Sequence, residues 1–154
     1  MRSDGARVIY NGEVTPLKLL FICFANTCRS PMAEAIARGM AGRWLQVYSA
    51  GLRPTGTVAP LARRTVRWLG HSPNGLTSKG LEDVPLREMD FIVSLMGPQG
   101  LLELPGDVSA EKIVWMIRDP YGEDEAMYRR TGRALEDRIR RLLDEIGHRE
   151  PFQM

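Results

Sequence analysis

The stretch from Leu19 to Met40, LLFICFANTCRSPMAEAIARGM, restricts the possible folds more than any other part of the chain. Leu19 to Phe24 is a short apolar run suited to a fully buried strand. Ser30-Pro31 then reads as a helix start, with the serine as N-cap and the proline at the first helical position. Behind it Ala33, Ile36, Ala37 and Met40 recur at helical spacing and form one apolar face. The chain therefore runs strand, tight loop, helix, with Cys23 to Arg29 as the loop.

Downstream the alternation continues. Trp44 to Ala50 reads as a second strand, with Leu45, Val47 and Ser49 on one side of it. Gly51 to Pro60 is a loop rich in Gly, Pro and Thr. Pro60 to Leu69 has helical composition, with Leu61, Thr65, Trp68 and Leu69 able to share a face and Gly70 as C-cap. Leu76 to Arg87 reads as a short helix and loop, and Asp90 to Met96 as a third strand whose near-continuous apolar run suits a parallel sheet. Ile113 to Ile117 is the fourth strand. In the last helix Leu135, Ile139, Leu142, Leu143 and Ile146 share one face, charges cover the rest, and Gly147 is the expected stop. Strands alternating with helices, without repeat or linker, argue for an α/β fold with a doubly wound parallel sheet.

The loop has a chemistry of its own. Successive N–H groups curling into a helix N-terminus form a concave anion site, and the helix dipole adds partial positive charge. Cys23 at the strand end and Arg29 six positions later can face the same anion, and a guanidinium offers a bidentate fork to its oxygens. The same field stabilises a thiolate at Cys23 relative to the thiol. A nucleophile and an oxyanion cradle coincide.

Cys-x5-Arg-Ser in the setting CFANTCRSPMAEA resembles the phosphate-binding loop of the low-molecular-weight protein-tyrosine phosphatase family, whose relatives include protein-arginine phosphatases and thioredoxin-coupled arsenate reductases. The resemblance implies a flavodoxin-like four-stranded sheet with helices on both faces. It makes Cys23 the nucleophile that forms a cysteinyl-phosphate and Arg29 the binder of phosphoryl oxygens. Ser30 would hydrogen-bond the sulfur. Phe24, Ala25, Asn26, Thr27 and Cys28 complete the substrate-binding loop, and Ser49 of Ser49-Ala50-Gly51 supports it through Asn26. His71, in a turn-rich segment, reads as a structural histidine rather than a general base.

Arg118-Asp119-Pro120-Tyr121-Gly122 follows the fourth strand, so it reaches the same sheet edge as the cysteine loop. Proline restricts the residue before it to extended conformations, which aims the Asp119 carboxyl. Asp119 resembles the family's general acid, which protonates the leaving oxygen and then activates water. Tyr121 would line the rim and stack on an aromatic substrate.

The chain also departs from the family's pattern. Ala25 stands where its phosphatases carry glycine, which matters if position 25 needs a positive φ. Thr55 replaces a tryptophan of eukaryotic members. Thr27 matches the protein-arginine phosphatases, where tyrosine-specific members carry an apolar residue. Cys28 is the sole cysteine beyond Cys23, so an internal thiol relay for arsenate reduction is short of members. Cys28 reads equally well as a reversible disulfide partner of Cys23 or as a buried free thiol.

Composition excludes other classes. A chain of 154 residues with 44% hydrophobic residues suits one domain, here residues 17–154, and a net charge of +2 compels no nucleic-acid partner. The arginine-rich side of the last helix is interleaved with acids and reads as a solvated face. Two histidines and two cysteines separated by four residues make no familiar metal set, so neither metal nor cofactor is expected. No run reaches the roughly 18 apolar residues of a membrane span, and a cytoplasmic location is the default. Residues 1–16 read as a mobile leader with a hairpin signal at Asn11-Gly12. The expected activity is hydrolysis of phosphotyrosine in a protein or peptide. Phosphoarginine is the alternative; arsenate reduction and a non-catalytic phospho-ligand binding module rank below both.

Overall fold

The computed structural model describes residues 7–8 and 14–148. Its elements in chain order are β1 (Arg7–Val8), β2 (Val14–Thr15), β3 (Leu17–Cys23), α1 (Arg29–Ala41), β4 (Leu45–Gly51), α2 (Pro60–Trp68), β5 (Phe91–Ser94), β6 (Glu111–Val114) and α3 (Glu125–His148). Strands β4-β3-β5-β6 form an all-parallel sheet, and β1 pairs with β2 as a separate antiparallel ribbon. The flanks of the expected hairpin are thus paired, while its Asn11-Gly12 turn and most of the 1–16 leader lie outside the described residues.

Alternation along the central strand divides the core in two. Leu19, Phe21 and Cys23 face a layer built by all three α-helices, including Ile36, Val66, Leu135, Ile139 and Ile146. Leu20 and Ile22 face the other way, onto Val84, Leu86, Met89 and Val108. Burying each of the large apolar side chains contributes about 1.5–3 kcal/mol, and Leu19, Leu20, Phe21 and Ile22 are all fully buried. The sheet order is the flavodoxin-like one. The second face is covered by short 3-10 helices at Leu81–Asp83, Leu86–Glu88 and Pro98–Leu101, too short to carry a helical period in sequence.

Several boundaries differ from expectation. Helix α1 starts at Arg29 with Cys28 as N-cap and no side-chain cap. Ser30 is therefore not the cap; its hydroxyl is engaged by the loop instead, and Pro31 sits inside the first turn, where its missing N–H costs nothing. Residues Arg29 to Ala37 are buried on every side of that helix, because the sheet, α2 and α3 all pack on it. Helix α2 buries Ala62, Thr65 and Val66. Trp68 instead lies on the surface, with the guanidiniums of Arg129 and Arg133 4.5 and 4.6 Å from its ring centre. Strand β6 ends at Val114, three residues short of expectation. Gly147 falls within α3, where a side chain would meet the Trp44 ring at 3.6 Å.

Candidate active site

Strands β3 and β5 and the segment after β6 all end at one edge of the sheet, and the loop from Cys23 to Arg29 lies there. Its backbone is held from outside. The carbonyls of Cys23, Phe24, Ala25 and Thr27 accept the N–H groups of Leu52, Arg53, Thr55 and Ala59 at 3.2, 2.8, 3.3 and 3.0 Å. In a trans peptide the N–H points opposite the carbonyl, so the amides of Phe24, Ala25, Asn26 and Cys28 face the concave side. That is a nest of donors at a helix N-terminus.

Asn26 is the pivot. It has φ 50°, the one positive φ at a non-glycine among the described residues, a conformation asparagine tolerates better than most. Position 25 therefore needs no glycine for a positive φ, and the Ala25 methyl lines the cavity. The Asn26 amide donates to Ser30 Oγ at 2.7 Å and to Ser49 Oγ at 3.0 Å, while its Oδ1 accepts the Lys79 N–H at 2.8 Å. Ser49 donates in turn to the buried Glu34 carboxylate at 2.5 Å. The direction of every bond follows from that carboxylate, which only accepts. Ser49 gives it a hydrogen and accepts from Asn26; Ser30 also accepts from Asn26, so its own hydrogen is free for Cys23 Sγ, 2.9 Å away.

Glu34 was not singled out in the sequence, where it reads as an ordinary helix residue. It is buried, its other oxygen bonds Arg38, and Lys79 Nζ lies 3.7 Å away. Gly51 was also missed as a site residue. A Cβ there would stand 2.7 Å from Asn26 N and 2.8 Å from the Ala25 carbonyl carbon, so the loop can lie on the end of β4 only over a glycine.

Arg29 is buried, and its Nη1 donates to the carbonyls of Ile117 at 3.1 Å and Leu95 at 3.5 Å, which follow the neighbouring strands β6 and β5. Those bonds fix the guanidinium plane. Its Nη2 lies 3.6 Å from Asp119 Oδ2. Asp119 is half-exposed, and its Oδ1 accepts the Tyr121 N–H at 3.1 Å, closing the turn that Pro120 begins.

A cavity of about 260 Å³ opens between these groups, lined by Cys23, Phe24, Ala25, Thr27, Cys28, Arg29, Thr55, Asp119 and Tyr121. Asn26, Ser30 and Ser49 stand behind the wall. Phe24 and Tyr121, 50% and 68% exposed, flank the mouth. Thr27 and Thr55 share a hydroxyl hydrogen bond of 2.8 Å on the wall. Cys23 and Cys28 are free thiols. Cys28 contacts the Tyr128 hydroxyl at 3.2 Å, and burial pushes its thiol up to about 11 against a lowering contribution from that bond. The same burial raises Tyr128.

His71 lies elsewhere, with Nε2 3.4 Å from Glu136 on α3 and its ring where Gly39 leaves room. Among the described residues no group of three or more His, Cys, Asp or Glu could hold a metal ion, and no helix is long and apolar enough to cross a membrane.

Known proteins resemble this chain over most of its length. The family model described as low molecular weight phosphotyrosine protein phosphatase matches residues 18–151. Among curated proteins the chain is 29% identical over 132 residues to a glutaredoxin arsenate reductase of Synechocystis sp., covering 84% of this chain and 98% of that one. It is 31% identical over 134 residues to an arsenate reductase of Halalkalibacterium halodurans, covering 85% and 90%. Among solved structures, an arsenate reductase in the phosphate binding state aligns with TM-score 0.75 at 28% identity, covering 84% of this chain and 98% of that one. The YwlE arginine phosphatase from Geobacillus stearothermophilus shares the fold, with TM-score 0.76 at 22% identity over 89% of this chain and all of that one. With the match running from the start of the central strand through the last helix, the chain belongs to the low molecular weight phosphotyrosine protein phosphatase family.

Proposed function

We propose that the protein is a phosphoprotein phosphatase that works through a cysteinyl-phosphate and takes phosphotyrosine. The observation that carries this is the meeting of Cys23, Arg29 and Asp119 in one small cavity at the strand ends. The Cys23 sulfur attacks phosphorus along the axis of the loop while the phosphorus–oxygen bond to tyrosine breaks. Arg29 and the inward amides hold the three equatorial oxygens, whose negative charge they meet without rearrangement. Asp119 gives its proton to the departing phenolic oxygen. Water then attacks phosphorus, Asp119 takes up the proton, the phosphorus–sulfur bond breaks and the thiolate returns with Ser30 still aimed at it. Phe24 and Tyr121 at the mouth offer faces to the substrate ring.

One observation keeps a second substrate in view. The two hydroxyl hydrogens of Thr27 and Thr55 have three acceptors within reach, each other's oxygen and the Ala25 and Thr57 carbonyls, so neither is spare for a ligand. What is left for a ligand is lone pairs, which suit the N–H groups of phosphoarginine.

Several relatives are named arsenate reductases, and arsenate has the shape and charge of phosphate. Reduction needs two electrons from thiols, however, and Cys28, buried and held as thiol against Tyr128, is a poor internal source. Turnover of arsenate by this chain would rest on external thiols.

The test is metal-free hydrolysis of an aryl phosphate and of phosphotyrosine and phosphoarginine peptides, beside arsenate with glutathione and glutaredoxin. The reading expects aryl phosphate and phosphotyrosine to be turned over and activity to vanish in Cys23→Ala. Arsenate-dependent thiol oxidation without phosphatase activity overturns it. Thr27→Ile shifting preference from phosphoarginine toward phosphotyrosine supports the second substrate.

A further inference from the structure

On the far side of the acid loop a groove of about 340 Å³ runs between α3 and the segment Met116 to Arg118. It adjoins the catalytic cavity at two points. Arg118 precedes Asp119, and Ile117, whose carbonyl holds Arg29, also lines the groove. On the helix side Met127 sits beside Tyr128, whose hydroxyl meets Cys28 in the catalytic cavity.

The lining is basic over an apolar floor. Arg118, Arg130 and Arg138 border it, and among the described residues no acidic side chain does. Arg118 is paired with Glu123 at 2.8 Å. Arg130 and Arg138 have no carboxylate partner among the described residues, whereas Arg129, Arg133 and Arg141 on the same helix each have one. Met116 is 72% exposed and Met127 half-buried, unbranched side chains that adapt to whatever lies on them. From Met127 to Arg138 the helix rises about 16 Å, the length of about five residues of extended peptide.

We propose that this groove binds the acidic flank of the phosphorylated polypeptide, so that the enzyme prefers phosphosites with glutamate or aspartate within about five residues on one side. The proposal deepens the phosphatase reading and rests on it. A chain leaving the cavity past Tyr121 crosses Asp119 and enters a basic channel next to it. Arg130 and Arg138 supply charges that no carboxylate within the described residues neutralises, and the methionines take up the aliphatic stems of glutamates.

The experiment compares phosphotyrosine peptides carrying three glutamates before the phosphosite, three after it, or three glutamines in either place. At low ionic strength, one glutamate peptide should be turned over with kcat/KM about tenfold above its glutamine counterpart, taking about threefold for each exposed arginine pairing. The gap should shrink with salt. In Arg130→Gln/Arg138→Gln it should close while hydrolysis of a small aryl phosphate stays unchanged. Equal rates for all peptides, or a gap that survives the double variant, overturn the proposal. So does tighter binding of an oligonucleotide than of the acidic peptide, or a dimer that the double variant dissociates. If the wild type fails to hydrolyse the aryl phosphate, the phosphatase reading falls separately. Fluorescence anisotropy on Cys23→Ser then decides the groove: tighter binding of the glutamate peptide, lost in the arginine double variant, retains it, and equal binding rejects it.

Discussion

Removing the Asn26 side chain isolates what holds the catalytic loop in shape. Asn26→Ala deletes three hydrogen bonds, the buried ones to Ser30 and Ser49 and a partly buried one from the Lys79 N–H. At about 1 kcal/mol net for each, the loss is about 3 kcal/mol. Alanine must also adopt the φ of 50° that asparagine tolerates, which adds about 1 kcal/mol. Asn26→Gly loses the same bonds without that strain, so it should cost about 3 kcal/mol against about 4 kcal/mol for alanine. Both sums lie within the usual stability of a domain this size, so the variants remain folded at 25 °C and urea titration at pH 7 reads the difference. Catalysis should suffer as well, because Ser30 is then free to turn its hydrogen from Cys23 and the amides are no longer braced. A fall in kcat of at least about tenfold on an aryl phosphate is expected. The reasoning is refuted if Asn26→Ala loses less than about 1 kcal/mol, or if alanine proves more stable than glycine.

Other perturbations probe separate parts of the account. Asp119→Asn should lower kcat/KM, which reports the step that expels the leaving group, on phenyl phosphate by about 10²–10⁴ and on p-nitrophenyl phosphate much less, since that leaving group needs no proton; equal losses in kcat/KM would contradict an acid role. Gly51→Ala forces the loop off β4, and the melting temperature and aryl phosphate turnover should fall together. Stability should decline in alkali: Cys28 is held as thiol to about 11 but ionises from about 9.0 when unfolded. Its contribution, at most about 3 kcal/mol, is present below pH 9 and lost as pH rises through 11, with Tyr128 acting in the same sense. Urea titrations from pH 8 to 11 read it, and a flat profile would contradict it.

Much of the sheet was legible because the strands are apolar runs bounded by turn residues, and because parallel strands separated by helices admit few orders. The loop motif and the Asp-Pro turn were legible for another reason: strand ends bring them to one edge whatever the intervening chain does. Less visible were interactions between residues of ordinary type. Glu34 occupies a helix position where glutamate is common, and nothing local says that the sheet buries it beneath Ser49. Cys28 and Tyr128 meet across 100 positions of chain. Ser30-Pro31 resembled a cap box entrance, but the Cys23 sulfur and the Asn26 amide compete for that hydroxyl and win it, so the helix begins uncapped one residue earlier. Gly147 has the look of a stop, yet it lies inside α3, one residue before the helix's last described position, with the Trp44 ring 3.6 Å from where a Cβ would stand. In each case tertiary packing overrode a local preference worth about 1 kcal/mol.

The central claim is that phosphate passes through the sulfur of residue 23. Rapid quenching during turnover of an aryl phosphate, followed by digestion and mass spectrometry under conditions that preserve thiophosphate bonds, tests it directly. The account predicts one phosphoryl group on the peptide containing Cys23, present during turnover, absent after substrate is exhausted and absent in Cys23→Ala. Phosphate on any other residue, or steady turnover by Cys23→Ala, would contradict it.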